Sequence, residues 1–199
     1  MDISYKPAGQ FELTRFEKIH NISFESSYKA SIVVAREIAD LIKHKQQQNL
    51  NCVLGLATGS SPIKVYEELV RLHNEEGLSF ANVVSFNLDE YFPIEADAPQ
   101  SYWSFMHKHL FNHIDMDPKN IHIPSGTWSK DDIKKHCAAY DAAIVEAGGI
   151  DLQILGIGGN GHIGFNEPGS SIISKTRLVN LANNTRLANA YEFSHLSKV

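Results

Sequence analysis

The residues best able to do chemistry lie in one stretch, Asp151 to Ser171, with the sequence DLQILGIGGNGHIGFNEPGSS. A short apolar run, Leu152 to Leu155, gives way to four glycines among the six residues from Gly156 to Gly161. His162 comes next, with Glu167 five positions on. A strand that ends in a glycine turn delivers the following side chains to the carboxyl edge of its sheet, where open α/β sheets bind ligands. A histidine that titrates near neutrality can pass a proton either way there, provided its ring is held. Glu167 could hold it across the loop, and the neutral amide of Asn160 is a second candidate. Gly156 to Gly161 also spells the G-x-G-x-x-G of a dinucleotide turn. The last glycine of that motif should open a helix, and an acid about 20 residues on should hold a ribose. Here Pro168 and Gly169 follow instead, and no acid lies between Glu167 and Glu192. The stretch reads as acid–base chemistry rather than hydride transfer.

Two other groups could serve the same edge. Thr58-Gly59-Ser60-Ser61-Pro62 follows the apolar run Cys52 to Ala57 and precedes Val65, Tyr66, Leu69, Val70 and Leu72 at helical spacing. Ser61 is a natural N-cap and Pro62 a natural first helical residue. The free N–H groups and positive dipole end of such a helix suit a phosphate, although a capped turn without a ligand would read the same. Val83 to Leu88 predicts a strand that runs into Asp89 and Glu90. Neighbouring side chains on a strand point oppositely, so at most one of the two acids faces a shared pocket, and Asp89 is the choice. His109 and His113 share a helix face, but Leu110 stands where a zinc-protease motif needs glutamate, so no metal is expected.

The elements that must position these groups alternate along the chain. Residues 1–18 read as an extension lying on the surface or on a partner, and residues 19–24 as an edge strand. A helix capped at Ser26–Ser27 runs to about Gln47. After the helix that opens at Pro62, a third spans Ser101 to His113, a short strand covers Ile121 to Pro124, and a fourth helix runs from a Ser129 cap to Ala147, closed by Gly148 and Gly149. Strand and helix alternate with no tight hairpin signal, which predicts one Rossmann-like α/β domain, residues 19–199, with a parallel sheet between helical layers. The 199 residues carry a net charge of -5, with 43% apolar and 21% charged residues. No basic block offsets that charge, which argues against a nucleic-acid partner. No apolar run approaches the ~18 residues of a membrane span. Cys52 and Cys137 have no metal or redox spacing, and together with an amino end unlike a signal peptide they predict a reducing, cytoplasmic setting.

TGSSP, FNLDEY, SYWSFM and GHIGFNEPGSS occur here in the order and at the spacing found in glucosamine-6-phosphate deaminases, which the chain resembles from about residue 19 to its end. GHIGFNEP is the most specific of the four, because the sister 6-phosphogluconolactonases share its glycine-histidine core but not the asparagine-glutamate-proline after it. The resemblance implies conversion of glucosamine 6-phosphate and water to fructose 6-phosphate and ammonia, with no cofactor and no metal. His162 would open the sugar ring, with Glu167 holding its imidazole, and Asp89 would move a proton from C2 to C1. Gly59, Ser60 and Ser61 would hold the phosphate, with Thr58, Glu90 and Gly161 also against the substrate. A small sugar phosphate would be the partner, and a homo-oligomer is left open. The other reading is a sugar-phosphate sensor on the same fold that binds without turnover.

The chain also departs from that family. Asn160 stands where the bacterial deaminases usually carry aspartate, so the ring partner brings no charge, and a weaker or differently tuned activity is expected. Tyr191 takes the place of an arginine that grips phosphate. Ser170 and Arg177 match an activator site of allosteric members, but Val179 replaces its lysine. Family members continue for a few dozen residues beyond the position of Val199, so the sheet is expected to lack its last strands.

Overall fold

The computed structural model of the chain describes residues 6–7, 21–190 and 193. The remainder of the 1–18 extension, and Tyr191, lie outside the described residues. The core is a parallel sheet of four strands in the order β5-β4-β3-β6: β3 is Cys52–Leu56, β4 Val83–Asn87, β5 Ile121–His122 and β6 Leu152–Gln153. Outside it, β1 (Lys6–Pro7) and β2 (Ile22–Ser23) form a separate antiparallel pair. The edge strand expected around residues 19–24 therefore pairs with the extension and not with the main sheet.

Alternation along β3 and β4 decides which layer each residue meets. Cys52, Leu54, Leu56 and Val83 point to one face, where they pack with Ala35, Ile38 and Ile42 of α1 (Ser27–Gln47) and Val65, Tyr66, Leu69 and Leu72 of α2 (Ile63–Glu76). Met106 of α3 (Tyr102–His109) joins them. Val53, Val84 and Phe86 point to the other face and meet Tyr140, Ala143 and Ile144 of α4 (Ile133–Glu146). Each fully buried side chain of this kind stabilises the fold by ~1.5–3 kcal/mol. With both faces covered, a strand reads as a continuous apolar run, as CVLGLA does.

Several boundaries differ from the sequence expectation for local reasons. Ser26 caps α1 as expected, its side chain accepting the Lys29 N–H. Ser101 caps α3 through the Ser104 N–H, but that helix stops at His109. Leu110 leaves helical geometry (φ -140, ψ -65), and only a 3₁₀ turn, Phe111–His113, follows. Ser129 bonds the N–H and carboxylate of Asp132 one turn ahead of α4, so it caps the approach rather than the helix. β6 pairs with β3 over two residues only, where a strand from Asp151 to Leu155 was expected. Asp151 faces outward instead, bonding Lys45 at 2.5 Å and the Val53 N–H at 2.9 Å. Among the described residues, β6 has a neighbour on one side only.

Strand order places the site. The chain runs outward from β3 through β4 to β5, then returns across to pair β6 with the far side of β3. Such a reversal opens a crevice at the carboxyl ends of the strands on either side of it. The turn after β3, the end of β4 and the glycine loop after β6 all emerge at that edge.

Candidate active site

Asp89 lies two residues past the end of β4, where the Leu88 N–H still donates to the Leu56 carbonyl at 3.1 Å. Its carboxylate accepts the N–H of Phe165, three residues past His162. The contact is close: a Cβ added to Gly164, whose φ is +57, would lie 3.0 Å from Asp89 Oδ2. The end of β4 and the histidine loop, about 75 residues apart in sequence, are thus packed against each other. Burial pushes the Asp89 carboxyl up to about 7, with the charge of Glu90 adding to the rise and the Phe165 N–H opposing it. A carboxyl tuned to neutrality suits proton abstraction near physiological pH.

His162 is half-buried, and its ring rests on the backbone of Gly158, where an added Cβ would lie 2.1 to 2.4 Å from three ring atoms. A tight turn creates this approach, with the Gly158 N–H donating to the His162 carbonyl and the Gly161 N–H to the Gly158 carbonyl, both at 2.8 Å. Asn160, not Glu167, is the direct partner of the ring: its Oδ1 lies 2.7 Å from His162 Nδ1. Glu167 stands one step back, accepting the Asn160 amide N–H at 2.8 Å. The expectation that Glu167 itself holds the imidazole is corrected accordingly, because the short turn brings Asn160 into the place between them. Glu167 also accepts the Thr185 hydroxyl at 2.5 Å and the Ala182 N–H at 3.1 Å. Thr185 is the main cause holding Glu167 below the usual carboxylate range, with Asn160, Ala182 and His162 adding to it against the cost of burial.

Glu90, expected against the sugar, does a structural job. Its Oε1 accepts the N–H groups of Tyr91 (2.8 Å) and Tyr102 (3.0 Å), and its Oε2 that of Trp103 (3.0 Å). With Ser101 on the Ser104 N–H, it satisfies the first donors of α3, which would otherwise lack intrahelical partners. Burial raises its pKa, and the three N–H donors oppose the rise.

In the turn after β3, Gly59 has a φ of +95 and open space beside it, and Ser60 and Ser61 are exposed. Ser61 does not cap α2. Pro62 holds the cap position in a helical conformation with no side-chain bond, so neither serine hydroxyl is committed to the helix end. Thr58 is tied down, its side chain bonded to the Tyr102 hydroxyl. The Tyr102 ring lies 4.9 Å from that of Tyr91 and 5.7 Å from that of Phe165. Tyr102 therefore links the β3 turn, the helix that Glu90 caps and the histidine loop. Gly161, at φ +86, is exposed in the turn before His162.

A cavity of about 740 Å³ is lined by Asp89 and Glu90 together with Trp128, Asp141, Phe165 and Lys175 among others. Neither His162 nor residues 58–61 line it. Arg177 bonds Ser170 at 3.2 Å, Asn166 at 3.1 Å and Ser174 at 2.9 Å, so the two residues that match an activator site are joined to each other. His113 bonds the Lys108 carbonyl and His109 lies against the Phe105 ring. Among the described residues no cluster of His, Cys, Asp and Glu could hold a metal ion, and no helix is long and apolar enough to cross a membrane.

Gly158, Tyr102 and Thr185 were not singled out by residue type. Gly158 is visible in the sequence only as a letter in a dinucleotide pattern, and Tyr102 only as part of the SYWSFM motif. Thr185 lies 18 residues from Glu167 with no motif around it.

Residues 25–187 match the family model of glucosamine-6-phosphate isomerases/6-phosphogluconolactonase. A glucosamine-6-phosphate deaminase of Lysinibacillus sphaericus is 50% identical over 164 residues, 82% of this chain and 68% of that protein. One from Thermoanaerobacter pseudethanolicus is 45% identical over 83% of this chain and 65% of its own length. A putative glucosamine-6-phosphate deaminase-like protein of Bacteroides thetaiotaomicron is 47% identical over 92% of this chain, which is 28% of that larger protein. The chain thus spans from about a quarter to about two thirds of the length of these relatives. Among solved structures, one described as a monomeric glucosamine-6-phosphate deaminase superposes with a TM-score of 0.82 at 44% identity, over 88% of this chain and 70% of that one. A 6-phosphogluconolactonase of Thermotoga maritima superposes with a TM-score of 0.58 at 25% identity, over 71% of this chain and 61% of that one.

Proposed function

The chain belongs to the family of glucosamine-6-phosphate isomerases and 6-phosphogluconolactonases, and from that premise we propose that it deaminates glucosamine 6-phosphate to fructose 6-phosphate and ammonia. The observation that carries the reading is the packing of Asp89, a carboxyl pushed up to about 7, against the loop that presents His162. The comparisons favour the deaminase over the lactonase branch, with identity of 44–50% to the deaminases named above and 25% to the lactonase.

In this reading His162 transfers a proton between the C1 hydroxyl and the ring oxygen, opening the sugar to its aldehyde. The new carbonyl at C1 acidifies the C2 hydrogen. Asp89 removes that hydrogen as a proton, and the electron pair of the C–H bond forms a C1–C2 double bond while the C1=O π pair moves onto oxygen, which takes up a proton. The nitrogen lone pair then forms a C2=N bond as the C1–C2 π pair accepts the proton that Asp89 returns to C1. The product is an iminium at C2, where water adds and ammonia leaves. The N–H groups at the start of α2 and the hydroxyls of Ser60 and Ser61 receive the phosphate, as helix amino ends do for anions. Thr58, tied to Tyr102, braces that turn from behind. Asn160 keeps the ring oriented but brings no charge to an imidazolium, and Glu167 supplies that charge from one step further out.

The test is ammonia release from glucosamine 6-phosphate, run beside hydrolysis of 6-phosphogluconolactone. Ammonia with no lactone hydrolysis is expected. Lactone hydrolysis without ammonia would overturn the assignment.

A further inference from the structure

Thr185 is 3% exposed at the third position of the short helix α5 (Asn183–Asn189), and its hydroxyl faces two groups. Glu167 Oε1 lies 2.5 Å away and His162 Nδ1 3.4 Å away. We propose that Thr185 is a positioning residue that fixes the tautomer of His162 by committing its own proton to Glu167. The inference rests on the reading of His162 as the acid–base group.

The argument is one of donors and acceptors. A hydroxyl has one proton to give, and an ionised carboxylate can only accept. Thr185 therefore donates to Glu167 and turns a lone pair toward His162. The same carboxylate orients Asn160: Glu167 Oε2 accepts the amide N–H at 2.8 Å, which leaves Asn160 Oδ1 facing the ring at 2.7 Å. The amide cannot turn round without placing its oxygen against a carboxylate oxygen. His162 Nδ1 thus meets two acceptors and no donor, so the neutral ring carries its hydrogen on Nδ1 and keeps Nε2 as the bare base. The hydrogen bond made by one ring nitrogen decides the state of the other.

Removing the hydroxyl undoes this in sequence. Glu167 Oε1 keeps only the Ala182 N–H at 3.1 Å, and the carboxylate is free to turn. The Asn160 amide then loses its anchor on the carboxylate and keeps only the His162 backbone N–H, which donates to its Oδ1 at 3.2 Å, to set its orientation. With its N–H₂ toward Nδ1, the ring hydrogen moves to Nε2, the wrong nitrogen for a base.

The experiment is ¹⁵N NMR of the histidine rings at pH 8 without substrate, with His162 assigned by its disappearance in His162→Gln. The wild type is expected to show hydrogen on Nδ1. Thr185→Val is expected to show both tautomers and a kcat about 10- to 100-fold lower with KM little changed, as when a group that orients a histidine is lost. Thr185→Ser is expected to restore both. Hydrogen on Nε2 in the wild type, an unchanged ring spectrum in Thr185→Val, or a folded Thr185→Ser that behaves like the valine variant would each overturn the proposal. Absence of ammonia release by the wild type would defeat the deaminase reading instead, because the ring spectrum is read without turnover.

Discussion

Replacing Gly158 with alanine should disable the site while leaving the fold nearly intact. The Gly158 φ is not in the left-handed region, so the backbone accepts a side chain. The obstacle is the imidazole, since the new methyl would lie 2.1 Å from His162 Cε1, 2.2 Å from Nε2 and 2.4 Å from Nδ1. Carbon atoms in contact sit at about 3.5 Å or more, so the ring must retreat by roughly 1.4 Å. A displacement of that size takes Nδ1 out of its 2.7 Å bond to Asn160. Misplacing a catalytic group by about 1 Å costs on the order of 10²-fold in rate. The stability cost is one hydrogen bond, about 1 kcal/mol, or a Tm lower by about 2–4 °C in a chain of this size. Ammonia release measures the first and a circular-dichroism melt the second. A kcat within about threefold of wild type, less than ~1 kcal/mol in barrier, would refute the claim that the imidazole must rest on Gly158.

Asp89→Asn should abolish turnover and also change stability in a pH-dependent way. The folded value of about 7 stands above the ordinary 3.8, so this group's contribution to stability is fully present below pH 4 and is lost as pH rises through 7. The variant should therefore melt with the wild type at pH 4 and a few degrees above it at pH 8; equal melting at pH 8 would contradict the shift. Glu90→Ala removes the acceptor of three N–H groups around the start of α3 and should cost about 1–2 kcal/mol in denaturant unfolding. It should also lower the acidic limb of the kcat/KM profile, because a negative neighbour of Asp89 is gone. The double substitution Ser60→Ala and Ser61→Ala should raise KM for glucosamine 6-phosphate by about 5- to 150-fold, each hydroxyl contributing about 0.5–1.5 kcal/mol, with little change in Tm because neither caps α2.

Much of this architecture was legible in the chain because short-range patterns carry it. CVLGLA and VVSFNL had to be strands buried on both faces, and strand ends followed by glycine or acid pointed to one edge. Asp89 could be picked out as a reactive side chain just past a strand end, and His162 as one at the close of the glycine turn that follows a strand. What was not legible depends on contacts between distant residues or on the shape of a turn. Glu90 becomes a helix cap only because α3 begins 12 residues later and swings its N–H groups onto that carboxylate. Asn160 outranks Glu167 as the ring partner because Gly158 to Gly161 close a tight turn, a geometry that letters alone do not convey. The helix from Ser101 breaks at Leu110 although its apolar spacing continues to Phe111. Thr185 enters the site from a segment with no periodicity and no motif.

The account depends most on Asp89 and His162 serving one sugar, and the hydrogen at C2 tests that directly. Glucosamine 6-phosphate deuterated at C2 should give fructose 6-phosphate with part of the label at C1 and the rest lost to water, as ¹H NMR of the product would report. Asp89→Asn should leave the label at C2 with no product, and His162→Gln should stop loss of label from the closed sugar while sparing binding. Product formed at an undiminished rate by Asp89→Asn, or by His162→Gln, would contradict the central claim.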